Sequence, residues 1–73
     1  MPFLDIRERI ENDFTYHAPK PGQQERYTRI REAAKQLALL IVKETPASRE
    51  QSLALTNLEQ AIMFANASIA RNE

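Results

Sequence analysis

The feature that most constrains this chain is one proline, Pro46, between two long runs of strong helix-forming residues. Residues 23–44 and 47–72 contain neither glycine nor proline, and no part of the chain alternates apolar and polar residues as a β-strand does. The residue before a proline avoids the α region, so the helix has to end at Thr45. Two long helices with so short a connection must be antiparallel neighbours. The sequence therefore predicts an all-α fold built around a long helical hairpin.

We expect a single domain over residues 1–73. Its predicted elements are a short helix over 3–13, a proline-rich loop over 14–22, and long helices over 23–44 and 46–72. The last helix has two alternative start signals. Either Thr45 is the N-cap with Pro46 at the first helical position, or Ser48 is the N-cap of a capping box that includes Gln51.

Each long helix carries an apolar stripe at spacings of three and four residues, which suits the contact between two helices. These stripes are Tyr27, Ile30, Ala34, Leu37 and Ile41 on the first, and Leu55, Leu58, Ile62, Ala65 and Ile69 on the second. Further large apolar residues lie outside them, including Leu39, Leu40, Val42, Leu53, Met63 and Phe64. A helix that is apolar around much of its surface is covered on more than one side. We expect other copies to cover it in a homo-oligomer; the alternative is a monomer whose short N-terminal helix folds over the surplus.

Two asparagines interrupt the apolar surface of the last predicted helix. Asn57 and Asn66 are polar residues among leucine, isoleucine and alanine. A single asparagine in an apolar helix interface can fix the register of the helices. We expect one or both to form hydrogen bonds across a helix interface.

Composition excludes several kinds of protein. The 73 residues include no cysteine and one histidine, so neither a disulfide framework nor a self-contained zinc site is expected. The longest apolar run, residues 37–42, is far shorter than the roughly 20 residues that a membrane span needs. The N-terminus lacks the order of a secretory signal. We therefore expect a cytoplasmic protein with no metal, no cofactor and no membrane partner.

The formal net charge is zero, but the charges are unevenly distributed. Residues 16–35 carry five basic side chains against two acidic ones, a net of +3, whereas residues 1–15 have a net of −2. Proteins that bind duplex DNA carry a clear basic excess overall, so DNA is not an expected partner. A local positive segment better suits a small anionic ligand.

The predicted loop presents Tyr16 and His17, which can stack on flat rings and form hydrogen bonds. They precede a helix N-terminus, whose free N–H groups attract anions. The helix then carries three arginines, Arg26, Arg29 and Arg31. Aromatic faces and guanidinium groups suit the base and the phosphates of a nucleotide. A structural alternative stays open, in which Tyr16 packs on a neighbour, His17 caps a backbone group, and the arginines pair with Glu25 and Glu32.

Arg49 lies in the first turn of the last predicted helix, where a positive charge opposes the helix dipole. We therefore expect an anion nearby, either a ligand or a carboxylate such as Glu44 or Glu50. Catalysis is not expected, because Ser48 has no glycine elbow and His17 has no second base. The single glycine also excludes a phosphate-binding glycine loop. The sequence predicts no catalytic residue and no enzyme.

Two segments carry a resemblance to a known family. The first segment begins with FTYHAPKPGQ at residues 14–23 and continues with Arg26-Tyr27, Ile30-Arg31, Ala34-Lys35 and Leu37-Ala38. The second segment begins with SREQSLALT at residues 48–56 and closes with ANASIARN at residues 65–72. Together they resemble the hairpin domain shared by the anti-CBASS and anti-Thoeris sponges of phages. The resemblance covers about residues 14–72.

The resemblance implies a non-enzymatic protein that sequesters the cyclic nucleotide signals of bacterial defence without cleaving them, in the cytoplasm of the host bacterium if a phage encodes it. It implies a homo-hexamer with cyclic dinucleotides bound in pockets shared by two protomers; some members also hold cyclic trinucleotides or cyclic ADP-ribose isomers. In anti-CBASS members a loop tyrosine and a basic residue on the next helix contact the ligand, and an ungapped alignment carries these roles to Tyr16 and Arg31. Arginine replaces the family's lysine here, which keeps the charge but changes the donor geometry.

These observations predict a ligand site that contains Tyr16, His17, Arg26, Arg31 and Arg49. The aromatic residues would stack on a base and the arginines would bind phosphates, with Arg49 coming from the same chain or from a partner copy. The predicted ligand is a cyclic dinucleotide or a related cyclic nucleotide. The alternative is a protein-interaction module whose surplus apolar face docks another protein and which has no small ligand.

Overall fold

The computed structural model describes residues 5–73, which form three α-helices and no strand. The helices are α1 (Ile6–Asp13), α2 (Gln23–Glu44) and α3 (Arg49–Asn72). α2 and α3 pack against each other along the molecule as an antiparallel hairpin. α1 and the loop that follows it lie at the open end of this hairpin, where α2 begins and α3 ends. The predicted all-α hairpin is confirmed.

The bounds of α2 coincide with the predicted range of 23–44. α1 is shorter than the predicted helix over 3–13: it begins at Ile6, and Asp5 is its N-cap, with Asp5 Oδ1 accepting a hydrogen bond from the Arg7 N–H at 3.5 Å. The predicted helical positions 3 and 4 lie outside the described residues.

α3 begins at Arg49, so the prediction that this helix starts at position 46 was wrong. Ser48 is the N-cap, and its hydroxyl accepts a hydrogen bond from the Gln51 N–H at 3.1 Å. The Thr45 hydroxyl donates to the Ile41 carbonyl at 2.6 Å and so belongs to the end of α2. The capping box is incomplete, because Gln51 Nε2 donates to the carbonyl and hydroxyl oxygens of Thr45, each at 3.1 Å. Of the two predicted start signals, Ser48 supplies the cap.

The predicted stripes form the contact between α2 and α3. All their members are half-buried or buried except Leu37, which is 46% exposed. Ile69, which is 7% exposed, is the one buried apolar residue among those described. The apolar residues outside the stripes are 42–72% exposed, and α1 leaves them uncovered, since its own Ile6 and Ile10 are 59% and 49% exposed. The hairpin therefore covers one side of each long helix.

None of the three helices within residues 5–73 combines the length and the hydropathy that a membrane span requires.

Candidate ligand-binding site

Polar contacts join the end of α1 to the last turn of α3. The Asn12 side chain donates a hydrogen bond to the Arg71 carbonyl at 3.0 Å. Arg71 Nε lies 3.6 Å from Asp13 Oδ1, and Arg71 Nη2 donates to the Asp13 carbonyl at 3.5 Å. These contacts hold the loop between α1 and α2 across the open end of the hairpin.

The two aromatic residues of this loop have different surroundings. His17 is half-buried, and its Nε2 lies 2.7 Å from the Asn12 carbonyl. Because a carbonyl oxygen only accepts, Nε2 is the donor, as the structural alternative for His17 predicted. Tyr16 is 82% exposed, so the part of that alternative in which Tyr16 packs on a neighbour does not hold within the described chain. Its ring is available to a ligand.

The entry into α2 is organised by Gln23, which is 4% exposed. Its side-chain Oε1 accepts a hydrogen bond from the Lys20 N–H at 2.9 Å, and its own N–H donates to the Lys20 carbonyl at 3.1 Å. Gly22 precedes it with φ of 84°, a left-handed conformation that disfavours other residues. The single glycine and this reciprocal pair together set the direction in which the loop meets α2.

Three donors converge on Glu73. Arg26 Nη1 lies 2.7 Å from Glu73 Oε1, and Gln23 Nε2 donates to the same oxygen at 3.3 Å. Lys20 Nζ donates to the Glu73 backbone carbonyl. The hydrogen bond from Arg26, followed by that from Gln23, lowers the pKa of the Glu73 carboxyl, and the same ion pair raises the pKa of Arg26. The open end of the hairpin therefore stabilises an anion.

These elements surround a cavity of about 510 Å³, which we call the open-end pocket. Its lining residues are Asn12, Tyr16, His17, Ala18, Lys20, Gln23, Ala70, Arg71, Asn72 and Glu73. The volume is in the range of small-molecule sites. Two aromatic rings, two cationic side chains and several amide groups face it, so the pocket offers both stacking surfaces and donors for an anion.

The predicted site residues are only partly brought together. Tyr16 and His17 line the open-end pocket, and Arg26 lies at its edge through the contact with Glu73. Arg31 is exposed and does not line it; five residues beyond Arg26, it points about 140° away around α2. Arg49 is at the opposite end of the hairpin, about 33 Å away along α2. Within one copy of the chain, Arg31 and Arg49 therefore lie away from the open-end pocket.

Several residues of the open-end pocket were not predicted from the sequence, among them Gln23, Arg71 and Glu73. Arg26 was expected to pair within its own helix if it had a structural role, but its partner is Glu73. Arg71 was not among the predicted site residues, and its guanidinium contacts Asp13. Gln23 was not singled out. Arg26 and Glu73, like Asp13 and Arg71, are separated by about 50 positions, and no local sequence pattern links residues so far apart. For these contacts, the positive charge of residues 16–35 was the one sequence signal that indicated the open end of the hairpin.

Residues 5–73 contain no group of three or more side chains that could hold a metal ion. Fold and site together define a small helical-hairpin domain with a polar pocket suited to an anionic ligand. The model of one protein family, described as the Acb2/Tad1 hairpin domain, matches residues 7–70. The chain belongs to this family of anti-CBASS and anti-Thoeris sponges. Searches among curated proteins and among solved structures gave no match.

Proposed function

We propose that this protein is a sponge that binds cyclic oligonucleotide immune signals, holds them without cleavage, and so blocks bacterial anti-phage defence. The observation that carries the proposal is the family match over residues 7–70, which spans most of α1, the loop and nearly all of the hairpin. The open-end pocket adds a chemical reason, because exposed aromatic surface and cationic side chains meet there. Cyclic dinucleotides are the proposed ligands, with cyclic trinucleotides and cyclic ADP-ribose isomers as further members of the same class.

In the proposed complex, Tyr16 stacks on a base and His17 lies beside it, while Arg26 and Lys20 bind a phosphate. Glu73 holds the place of that phosphate in the free protein, since its carboxylate accepts from Arg26. The side chains of this ion pair are 42% and 41% exposed, and exposed ion pairs are weak. A phosphate group can therefore replace Glu73 without a large loss of stability.

We propose that the protein acts as a homo-oligomer and that this oligomer is a hexamer. The large apolar residues of α2 and α3 outside the hairpin contact are 42–72% exposed. Interfaces between copies would remove this apolar surface from water. The exposed apolar residues of α2 and α3 supply the surface that these interfaces would cover.

Assembly also offers a role for the two predicted arginines that lie away from the open-end pocket. Arg31 and Arg49 are both exposed within one chain. In the proposed assembly, neighbouring copies bring them to the ligand. Arg31 is the stronger candidate because an ungapped alignment of the loop and helix gives it the role of the family's basic residue, and Arg49 is secondary.

Mass spectrometry under native conditions, with and without a cyclic dinucleotide, tests the proposal. We expect a hexamer whose mass increases by whole numbers of ligands. Heat denaturation of the complex should then release intact ligand, because a sponge does not cleave it. A panel of cyclic dinucleotides, cyclic trinucleotides and cyclic ADP-ribose isomers identifies the preferred signal.

The exposed apolar side chains also favour a second candidate, a module that docks a different protein. That function predicts a chain that stays monomeric and gains no mass from any cyclic nucleotide. Such a result would reject the sponge. Recovery of cleaved ligand would instead indicate an enzyme.

A further inference from the structure

Gln23 is the one buried polar residue within residues 5–73, with 4% of its surface exposed. Its side-chain Oε1 accepts a hydrogen bond from the Lys20 N–H at 2.9 Å, and its Nε2 donates to Glu73 Oε1 at 3.3 Å. Buried polar groups are almost always hydrogen bonded, because an unsatisfied donor or acceptor loses its water without compensation. The oxygen of this amide is therefore bonded to the loop, and its nitrogen is bonded to an anion.

The acceptor for the Gln23 nitrogen belongs to the residue that we propose a phosphate replaces. The side chain of Glu73 is 41% exposed, and its Oε1 covers Gln23 Nε2. Gln23 lines the open-end pocket, so departure of this carboxylate would leave Nε2 facing the cavity. A buried donor without an acceptor is costly. The incoming group must therefore supply an acceptor at the place that Glu73 Oε1 leaves.

We propose that Gln23 is a further ligand-binding residue, whose Nε2 donates to the same phosphodiester oxygen that Arg26 binds. This inference rests on the proposed function and adds a contact to it. Arg26 Nη1 lies 2.7 Å from Glu73 Oε1, so the two donors already converge on one oxygen. A carboxylate and a phosphodiester each carry one negative charge over two terminal oxygens. Exchange of one for the other preserves the charge and the acceptor, so the site suits the phosphodiester groups of a cyclic nucleotide.

Two properties of Gln23 suit this role. The hydrogen bond from Arg26, followed by that from Gln23, lowers the pKa of the Glu73 carboxyl, so both donors stabilise an anion at this position. Gln23 is also fixed before a ligand arrives, because its backbone N–H donates to the Lys20 carbonyl at 3.1 Å and its side-chain oxygen accepts from the Lys20 N–H. A donor that is already ordered loses little freedom on binding.

Gln23→Glu tests the contact, because it keeps an oxygen that accepts from Lys20 and replaces the donating nitrogen by a second carboxylate oxygen. An acidic residue in the first turn of a helix is favourable, so the fold should be retained. We expect the affinity for cyclic di-AMP, measured by calorimetric titration, to fall by at least about tenfold. The control is Gln24→Glu, which makes the same change of charge at an exposed neighbouring residue outside the open-end pocket. Equal affinities of the two variants overturn the contact.

Nuclear magnetic resonance of the wild-type chain provides a second test that needs no variant. The Nε2–H signals of Gln23 should shift as cyclic di-AMP is added, while those of Gln24 should not. Unchanged Gln23 signals at saturation overturn the contact.

The same titrations separate this contact from the proposed function. A wild-type chain that binds cyclic di-AMP while Gln23→Glu binds it equally well rejects the contact alone. Cyclic tri-AMP and cyclic ADP-ribose, whose phosphate groups also carry one charge each, replace cyclic di-AMP as probes if it does not bind. A wild-type chain that binds none of the three rejects the proposed function itself.

Discussion

The two ends of the hairpin are held together in different ways. At the closed end, where α2 connects to α3, the side-chain hydrogen bonds of Thr45, Ser48 and Gln51 join residues at most six positions apart in the sequence. At the open end, the contacts of Asn12, Arg26 and Arg71 join residues separated by 47 to 59 positions. The closed end is a local structure that its own sequence specifies. The open end exists only when the whole chain has folded, and it is the end that contains the candidate ligand site.

The largest effect that we expect is a loss of ligand affinity when a residue at the open end is changed. Tyr16→Ala removes a stacking surface, which contributes about 1–3 kcal/mol per base, so the affinity for a cyclic dinucleotide should fall by about 5- to 150-fold. Calorimetric titration measures this change. Phe14→Ala is the matched control, because Phe14 is a loop aromatic that is 85% exposed and does not line the open-end pocket. An equal loss in both variants would contradict the assignment of the site to the pocket.

The closed end should affect stability and leave binding unchanged. Ser48→Ala removes the cap of α3 and should reduce the free energy of unfolding by about 1 kcal/mol, which lowers the Tm by about 4–8 °C in a domain of this size. Thermal unfolding followed by circular dichroism at a fixed protein concentration measures it. Ser52→Ala is the control on the same helix, since its side chain caps nothing and is exposed. Weaker ligand binding in Ser48→Ala would show either that the two ends are coupled or that the closed end of a neighbouring copy, which carries Arg49, takes part in the site.

Glu73 should compete with the ligand at the open end. Glu73→Gln removes the carboxylate that pairs with Arg26, and the affinity for an anionic ligand should increase by up to about fivefold, the scale of an exposed ion pair. Glu59→Gln is a control that removes the same charge from α3 at a distance from the open-end pocket. Competition titrations with inorganic pyrophosphate and a cyclic dinucleotide provide the measurement. Unchanged or weaker binding would show that the carboxylate does not occupy the phosphate position.

The smallest expected effect depends on pH. The pKa of Glu73 is lowered from its usual value of 4.5 because the folded state stabilises the carboxylate. Its contribution to stability is therefore complete above the usual pKa and is lost as the pH falls through the lowered value. After correction for the intrinsic pH dependence of exchange, the hydrogen-exchange protection of the second turn of α2 should decrease over this acidic range in the wild-type chain. Glu73→Gln should show no such dependence, and an identical pH profile in both would exclude this ion pair as the cause.

Much of the fold follows from local sequence signals. Pro46 and the runs of helix formers predict the hairpin, and the stripe from Tyr27 to Ile41 faces the stripe from Leu55 to Ile69, because helical periodicity alone determines which residues share a face. The start of α3 was less certain, since Thr45 and Ser48 are both good capping residues. The structure selects Ser48, because the Thr45 hydroxyl is already bonded to the end of α2.

The candidate site was predictable in part. The loop and the local positive charge identified Tyr16, His17 and Arg26, whose chemistry suits a nucleotide. Their partners were not predictable, because Glu73 and Arg71 reach the loop only through the antiparallel return of α3. The roles of Arg31 and Arg49 stay predictions that depend on neighbouring copies.

By itself, the sequence determined the helices, the side of each long helix that faces the other, and the positive segment that includes the loop. These properties depend on residues within a few turns of one another. The tertiary structure alone decided that Gln23 is buried, that Glu73 meets Arg26, and that Asn66 Oδ1 has no partner within residues 5–73. Each depends on the alignment of α2 with α3, because a shift of one residue between the helices would rotate and displace every facing side chain.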